Sequence, residues 1–95
     1  MGMKINYEQL PEHIQGGMRR YVEEGIEPGS FCMAALSNDL VGAYGVADDL
    51  NTIRMHDIAR WLYNDCPAGA RGSTERVQKW MERGGLKGQV EGYDE

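Results

Sequence analysis

Residues 10–25 read LPEHIQGGMRRYVEEG, and this stretch decides the fold class. Apolar side chains recur in it at steps of three and four residues, which is the spacing of one face of an α-helix. They are Ile14, Met18, Tyr21 and Val22. Pro11 suits the first position of a helix, and Gly25 suits the left-handed residue that commonly ends one. The stretch therefore predicts an amphipathic helix with a defined buried face.

Helical spacing continues along the chain between glycine and proline stops. After a Pro-Gly turn we expect a short apolar helix that is capped by Ser30 or Glu27. We then expect a main helical segment over residues 39–65, straight or kinked near Asn51, in which Leu40, Val41, Tyr44, Ala47 and Leu50 continue the apolar stripe.

A last helix is expected between a Ser73 cap and the glycine pair at residues 84–85. No alternating apolar pattern surrounds an Asn-Gly or Asp-Gly turn, so no hairpin is expected. The predicted fold class is all-α: a compact, oligomeric bundle of four to five helices, because a chain this short has a modest core. Residues 1–9 would form a lead-in, residues 10–85 a single helical domain, and residues 86–95 a flexible acidic tail.

Charge and composition exclude several classes of partner. The net charge is −5 and the isoelectric point is near 5.0, whereas modules that bind duplex nucleic acid usually carry a basic face. The same charge argues against an anionic membrane surface, and no apolar run approaches the ~20 residues of a membrane span. We expect no duplex nucleic acid and no membrane as partners. Because Cys32 and Cys66 show no pairing motif and no secretory leader is apparent, we expect reduced thiols and a cytoplasmic protein.

No set of residues reads as a catalytic or metal site. The spacing of His13, His56, Cys32 and Cys66 matches no zinc-ligand pattern. Cys32 lies in an apolar stretch and Cys66 precedes a proline, so both are expected to be structural thiols rather than nucleophiles. We expect no cofactor, no metal and no enzymatic activity.

Residues 71–76, RGSTER, are the sharpest local signal of a ligand. A helix N-terminus presents free N–H groups and a positive dipole end, which together favour an anion. Gly72, Ser73 and Thr74 would present these donors, and Arg71 and Arg76 would close on a phosphate through their guanidinium groups. The alternative is ordinary helix capping with no ligand.

The Gly29-Ser30 pair has a similar character, next to the aromatic ring of Phe31. It would make a second anion contact, with Phe31 or Tyr21 stacked on a nucleobase. The alternative is that both rings belong to the core, since aromatic side chains dominate small cores. A glycine pair at residues 16–17, inside a helix, also suggests the close approach of a second backbone or of a ligand.

Much of the chain resembles a family of small, uncharacterised proteins of tailed bacteriophages and prophages. The matching stretches are LPEH at 10–13, RYVEEGIEPGSF at 20–31, LSNDL at 36–40, ADDLN at 47–51, WLYNDCP at 61–67 and GSTERV at 72–77, with Trp80. The resemblance implies an anti-defence protein in the cytoplasm of an infected bacterial host. It supplies no catalytic residues.

Three functions follow from this resemblance. The first is a homo-oligomeric sponge that binds and sequesters a nucleotide immune signal, of the cyclic oligonucleotide or cyclic ADP-ribose type, without cleaving it. The second is an anti-CRISPR-like inhibitor that binds a host defence protein or host enzyme through an acidic face. The third is a phage accessory protein without a small-molecule ligand. Two glycine-serine helix starts and the excess of arginine over lysine favour the sponge.

Overall fold

A computed structural model of the chain describes residues 5–88, which form six α-helices, two short 3-10 helices and a last helical turn at residues 85–88. The α-helices are α1 (Glu12–Glu24), α2 (Ser30–Leu36), α3 (Leu40–Val46), α4 (Asp49–Ile53), α5 (Met55–Asn64) and α6 (Thr74–Arg83). The 3-10 helices are Tyr7–Gln9 and Ala68–Ala70. No strand occurs in the described range, so the all-α prediction is confirmed. None of these helices is both long and apolar enough to cross a bilayer.

Helix α1 buries the face that the sequence predicts: Ile14, Met18, Tyr21 and Val22. It ends at Gly25, which adopts a left-handed conformation with φ of 75° and donates its N–H to the Tyr21 carbonyl at 2.9 Å. The next N–H, that of Ile26, returns to the Arg20 carbonyl. Both bonds satisfy carbonyl groups that the end of a helix leaves free.

The C-terminal ends of α1 and α6 meet through glycines, in what we call the glycine contact (Gly25, Gly84 and Gly85). A β-carbon on Gly25 would lie 2.9 Å from the backbone of Gly84, and one on Gly85 would lie 2.7 Å from the backbone of Glu23. The Trp80 indole N–H spans the same junction and donates to the carbonyl oxygens of Tyr21 and Val22 at 3.2 and 3.0 Å. The junction thus joins two backbones with no room for a side chain.

The prediction of one helical segment over residues 39–65 is wrong in detail. The segment divides into α3, α4 and α5, with breaks at residues 47–48 and at Arg54, and Asn51 lies inside α4. Ala47 is extended, and the Asp48 carboxylate accepts the Asn51 N–H at 2.7 Å, which starts a new helix. These breaks raise the number of helices above the expected four to five. Of the side chains expected on the apolar stripe, Leu40, Val41, Tyr44 and Leu50 are exposed.

The described part of the expected lead-in, residues 5–9, packs onto the domain. Tyr7 is buried against Trp61, with 5.7 Å between ring centroids, and the Trp61 indole N–H donates to the Asn6 carbonyl at 3.0 Å. At the other end, Leu86 packs against the core, so ordered structure continues past residue 85. Residues 1–4 of the expected lead-in and residues 89–95 of the expected tail lie outside the described residues.

The glycine contact predicts a sharp response to a single methyl group. Gly25→Ala should lower the free energy of unfolding by at least ~1–2 kcal/mol, because it combines a left-handed alanine with a backbone clash. Chemical denaturation measures this effect. The control is Gly45→Ala in α3, where a β-carbon meets nothing within 4 Å and alanine favours the helix. Equal stability of the two variants would contradict the contact.

Candidate functional site

In the Gly72–Thr74 segment, a backbone donor that was expected to face a ligand binds a carbonyl group of the protein instead. The Gly72 N–H donates to the Leu36 carbonyl at 2.8 Å. The Ser73 hydroxyl accepts the Arg76 N–H at 3.1 Å, which confirms Ser73 as the cap of α6. The N-terminus of α6 is therefore capped by a side chain of the protein itself, as in ordinary helix capping.

The arginines beside this segment have different environments. Arg71 is half-buried, and it lines a cavity of about 260 Å³ together with Asn38, Tyr63 and Gly72. Its Nε atom is buried without a hydrogen-bond partner among residues 5–88. We call this the Arg71 cavity. Arg76 is exposed, does not line that cavity, and places its guanidinium Nη1 3.4 Å from the Ala68 carbonyl. The two arginines therefore do not converge on one anion in this structure.

Thr74 shares a groove of about 570 Å³ with Gly29 and Ser30, so the structure does bring parts of the two expected anion sites together. The carboxylates of Glu27 and Asp39 line the same groove. Like charge opposes an anion there, which makes this groove a poor phosphate site. Gly29, rather than Ser30 or Glu27, is the N-cap residue of α2, and it provides no side chain for capping.

A second cleft brings Gly29, Ser30 and Phe31 together with side chains of α1 and α4. Its volume is about 430 Å³. We call it the α1–α2 cleft and define it by His13, Gly17, Arg20, Ser30, Phe31 and Asn51. Tyr21, which was expected here, is fully buried and donates its hydroxyl to the Ala70 carbonyl at 2.6 Å. Its ring therefore has no free face for a nucleobase.

Arg20 lies at this cleft with its guanidinium folded back over the glycine pair. A β-carbon on Gly16 would lie 3.3 Å from the Arg20 Nη1 atom, and one on Gly17 would lie 3.9 Å from Nη2. The ion pairs within residues 5–88 are His13–Asp48, Arg54–Asp57 and Lys87–Glu24, and Arg20 takes part in none of them. Arg20 is thus an exposed cation without an ion-pair partner among residues 5–88, and the one carboxylate that lines the cleft, that of Asp48, contacts His13 instead.

Asn51 lines the same cleft from α4 and is only 3% exposed. Its side-chain Oδ1 atom is buried without a hydrogen-bond partner among the described residues. An unpaired buried acceptor costs roughly 1–3 kcal/mol, so native proteins seldom retain one without a reason. Its position is fixed by Asp48, which caps α4 through one carboxylate oxygen and holds His13 Nε2 at 2.9 Å through the other.

The sequence contained two signals for this cleft, the Gly29-Ser30-Phe31 motif and a glycine pair in α1. The glycine pair at residues 16–17 lies one turn before Arg20 and leaves room for its guanidinium. Nothing local marked Asn51 or His13 as parts of the cleft, because the fold alone brings α4 beside α1.

The α1–α2 cleft also contains a cysteine. Cys32 lines it, and burial raises the pKa of that thiol to about 11. Burial raises the pKa of Cys66 to about 12, although the nearby Arg71 guanidinium opposes the shift. Both thiols are protonated near neutral pH, and the thiolate is the reactive form. Within residues 5–88, no three His, Cys, Asp or Glu side chains are grouped to hold a metal ion.

No family model matches the chain, and no curated protein or solved structure is significantly similar to it.

The raised thiol pKa values predict slow alkylation of the native protein. At pH 8, iodoacetamide should modify Cys32 and Cys66 far more slowly in the folded protein than in the protein unfolded by guanidinium chloride, because both thiols are buried and protonated. Mass spectrometry of timed samples measures both rates. A native thiol that reacts as fast as in the unfolded chain would contradict this account.

Proposed function

We propose that the protein is a non-catalytic binding protein that sequesters a phosphate-bearing small molecule, a nucleotide, in the α1–α2 cleft. The observation that supports this most directly is Asn51, a nearly fully buried side chain with an unpartnered oxygen at a cleft that also carries the unpaired Arg20. Both residues line the same cleft, so a ligand there could pair with the Arg20 cation and, once the Asn51 side chain is uncovered, with its oxygen.

Arg20 supplies the recognition of phosphate. Its planar guanidinium pairs with phosphate oxygens through two parallel hydrogen bonds, which are among the stronger bonds available to a side chain. The overall charge of −5 does not prevent this. Ionic screening over ~8 Å at physiological salt lets a local cation dominate at short range.

Asn51 supplies the recognition of a donor group. The free Oδ1 atom accepts a hydrogen bond from an amino or imino group of a nucleobase, or from a ribose hydroxyl. The apolar side chains of Ile14 and Phe31 line the cleft beside it. The cleft volume of about 430 Å³ lies within the usual ~300–1,000 Å³ of small-molecule sites.

Sequestration rather than turnover fits the protonated state of the one thiol at the cleft, Cys32. The resemblance to small phage proteins supports a nucleotide immune signal as the ligand, of the cyclic oligonucleotide or cyclic ADP-ribose type. The protein would then act in the cytoplasm of the infected host, and removal of the signal would be its anti-defence activity.

Isothermal titration of the purified protein with cyclic di- and trinucleotides, cyclic ADP-ribose isomers and inorganic phosphate tests the proposal. At least one nucleotide should bind, and Arg20→Ala should weaken its binding by about 10- to 150-fold, the equivalent of ~1.5–3 kcal/mol for a charge-assisted hydrogen bond. Arg71→Ala and Arg76→Ala are matched controls that should leave the affinity unchanged.

Asn51→Leu separates a ligand role from a structural one. This variant should weaken binding while the melting temperature of the free protein stays the same or rises, because it removes an unsatisfied buried acceptor. Loss of binding in Arg71→Ala alone would place the ligand in the Arg71 cavity and contradict the cleft assignment. If no nucleotide binds and a pull-down from infected cells recovers one host protein, the function is that of a protein inhibitor instead.

A further inference from the structure

Helix α3 is covered on one side only. Of its seven residues Leu40–Val46, only Ala43 is buried. Leu40, Val41 and Tyr44 are 65%, 83% and 47% exposed. Leu40 and Val41 lie four and three residues before Tyr44, so the three side chains form one continuous ridge on the helix surface. A short helix that leaves such side chains in water gains little from its packing.

An apolar groove lies directly beside this ridge. Most of its lining is apolar, including Leu40 and Leu62, with Asn38 and Asp39 at one end of the helix, and its volume is about 140 Å³. Tyr63, which is 78% exposed, follows Leu62 on α5, and Leu62 also lines the Arg71 cavity next to it. We call Leu40, Val41, Tyr44, Leu62 and Tyr63 the apolar face.

We propose that the apolar face is the contact surface of a symmetric homodimer, in which a second copy of the chain covers α3. The face carries a ridge and a groove side by side. In a two-fold dimer the ridge of each copy can enter the groove of the other, so that one patch satisfies both partners. This inference rests on surface shape and charge and does not depend on the proposed ligand.

Charge favours a second copy at this face. Each chain carries a net charge of −5, so two copies repel each other across most contacts. Residues 40–47 carry no charged side chain, so the ridge of one copy can approach the other without a charge of its own, and the carboxylate before it, that of Asp39, accepts the Gly42 N–H. Desolvation of ionised groups is also avoided along the ridge.

The exposure of the face fits the same conclusion. Three of its side chains, Leu40, Val41 and Tyr63, are 65%, 83% and 78% exposed. Exposed apolar side chains that are grouped on one surface commonly mark a protein–protein contact, and the core of a homodimer interface is mostly apolar.

Light scattering coupled to gel filtration tests the dimer. The protein at tens of micromolar should show twice the chain mass of 10.7 kDa. Val41→Glu should raise the dimer dissociation constant at least ~100-fold, because it places two carboxylates near the two-fold axis. The matched control is Ile53→Glu, the same kind of change at a side chain of α4 that is 77% exposed and outside the face. Circular dichroism verifies that both variants remain helical.

A monomer mass for the unchanged protein at these concentrations would overturn the proposal. A dimer that survives Val41→Glu but dissociates in Ile53→Glu would place the interface elsewhere and overturn it as well. A monomer whose Val41→Glu variant loses a recovered host protein would show that the face binds another protein rather than a second copy.

Discussion

The rest of the structure depends on the backbone contact between the ends of α1 and α6. Gly25 and Gly85 approach so closely that no side chain fits between them, and the Trp80 indole N–H bonds to two carbonyls at the end of α1. A buried indole N–H requires a partner, and the carbonyls that a helix end leaves free provide one. The contact therefore gives the indole N–H its acceptors and gives the carbonyl groups at the end of α1 a donor. It also fixes the direction of the C-terminal end of α1.

With its C-terminal end held, α1 has one side in the core and one side at the α1–α2 cleft. One side packs Met18, Tyr21 and Val22 into the core, and the Tyr21 hydroxyl ties the helix to Ala70. The other side leaves Arg20 folded over the glycine pair at the α1–α2 cleft. Near the start of α1, the contact of His13 Nε2 with Asp48 connects the helix to the N-cap of α4, and Asn51 is thereby held at the cleft wall. Helix α1 thus places a cation at the cleft that Asn51 also lines.

Local signals in the sequence were enough for the parts of the fold that depend on near neighbours. The buried face of α1, the left-handed Gly25 and the Ser73 cap follow from spacing and capping chemistry, and each is confirmed. The division of residues 39–65 was missed because Asp48 reads as a surface acid, whereas it caps a new helix. Leu50 follows the break at residues 47–48, where the helical phase changes, whereas Leu40 and Val41 are exposed because the fold buries only Ala43 of α3.

The candidate site shows the same limit. Gly29, Ser30 and Phe31 were found from a local motif and do line a cleft, whereas Asn51 joins them through tertiary contacts that no local pattern encodes. The most direct test of the account is an NMR titration that follows the Asn51 side-chain amide, with the tightest-binding nucleotide as the probe. The account predicts that the Asn51 amide and the Arg20 Nε–H resonances shift together on binding, while the Arg71 Nε–H resonance stays in place. A shift at Arg71 with no change at Asn51 would contradict it.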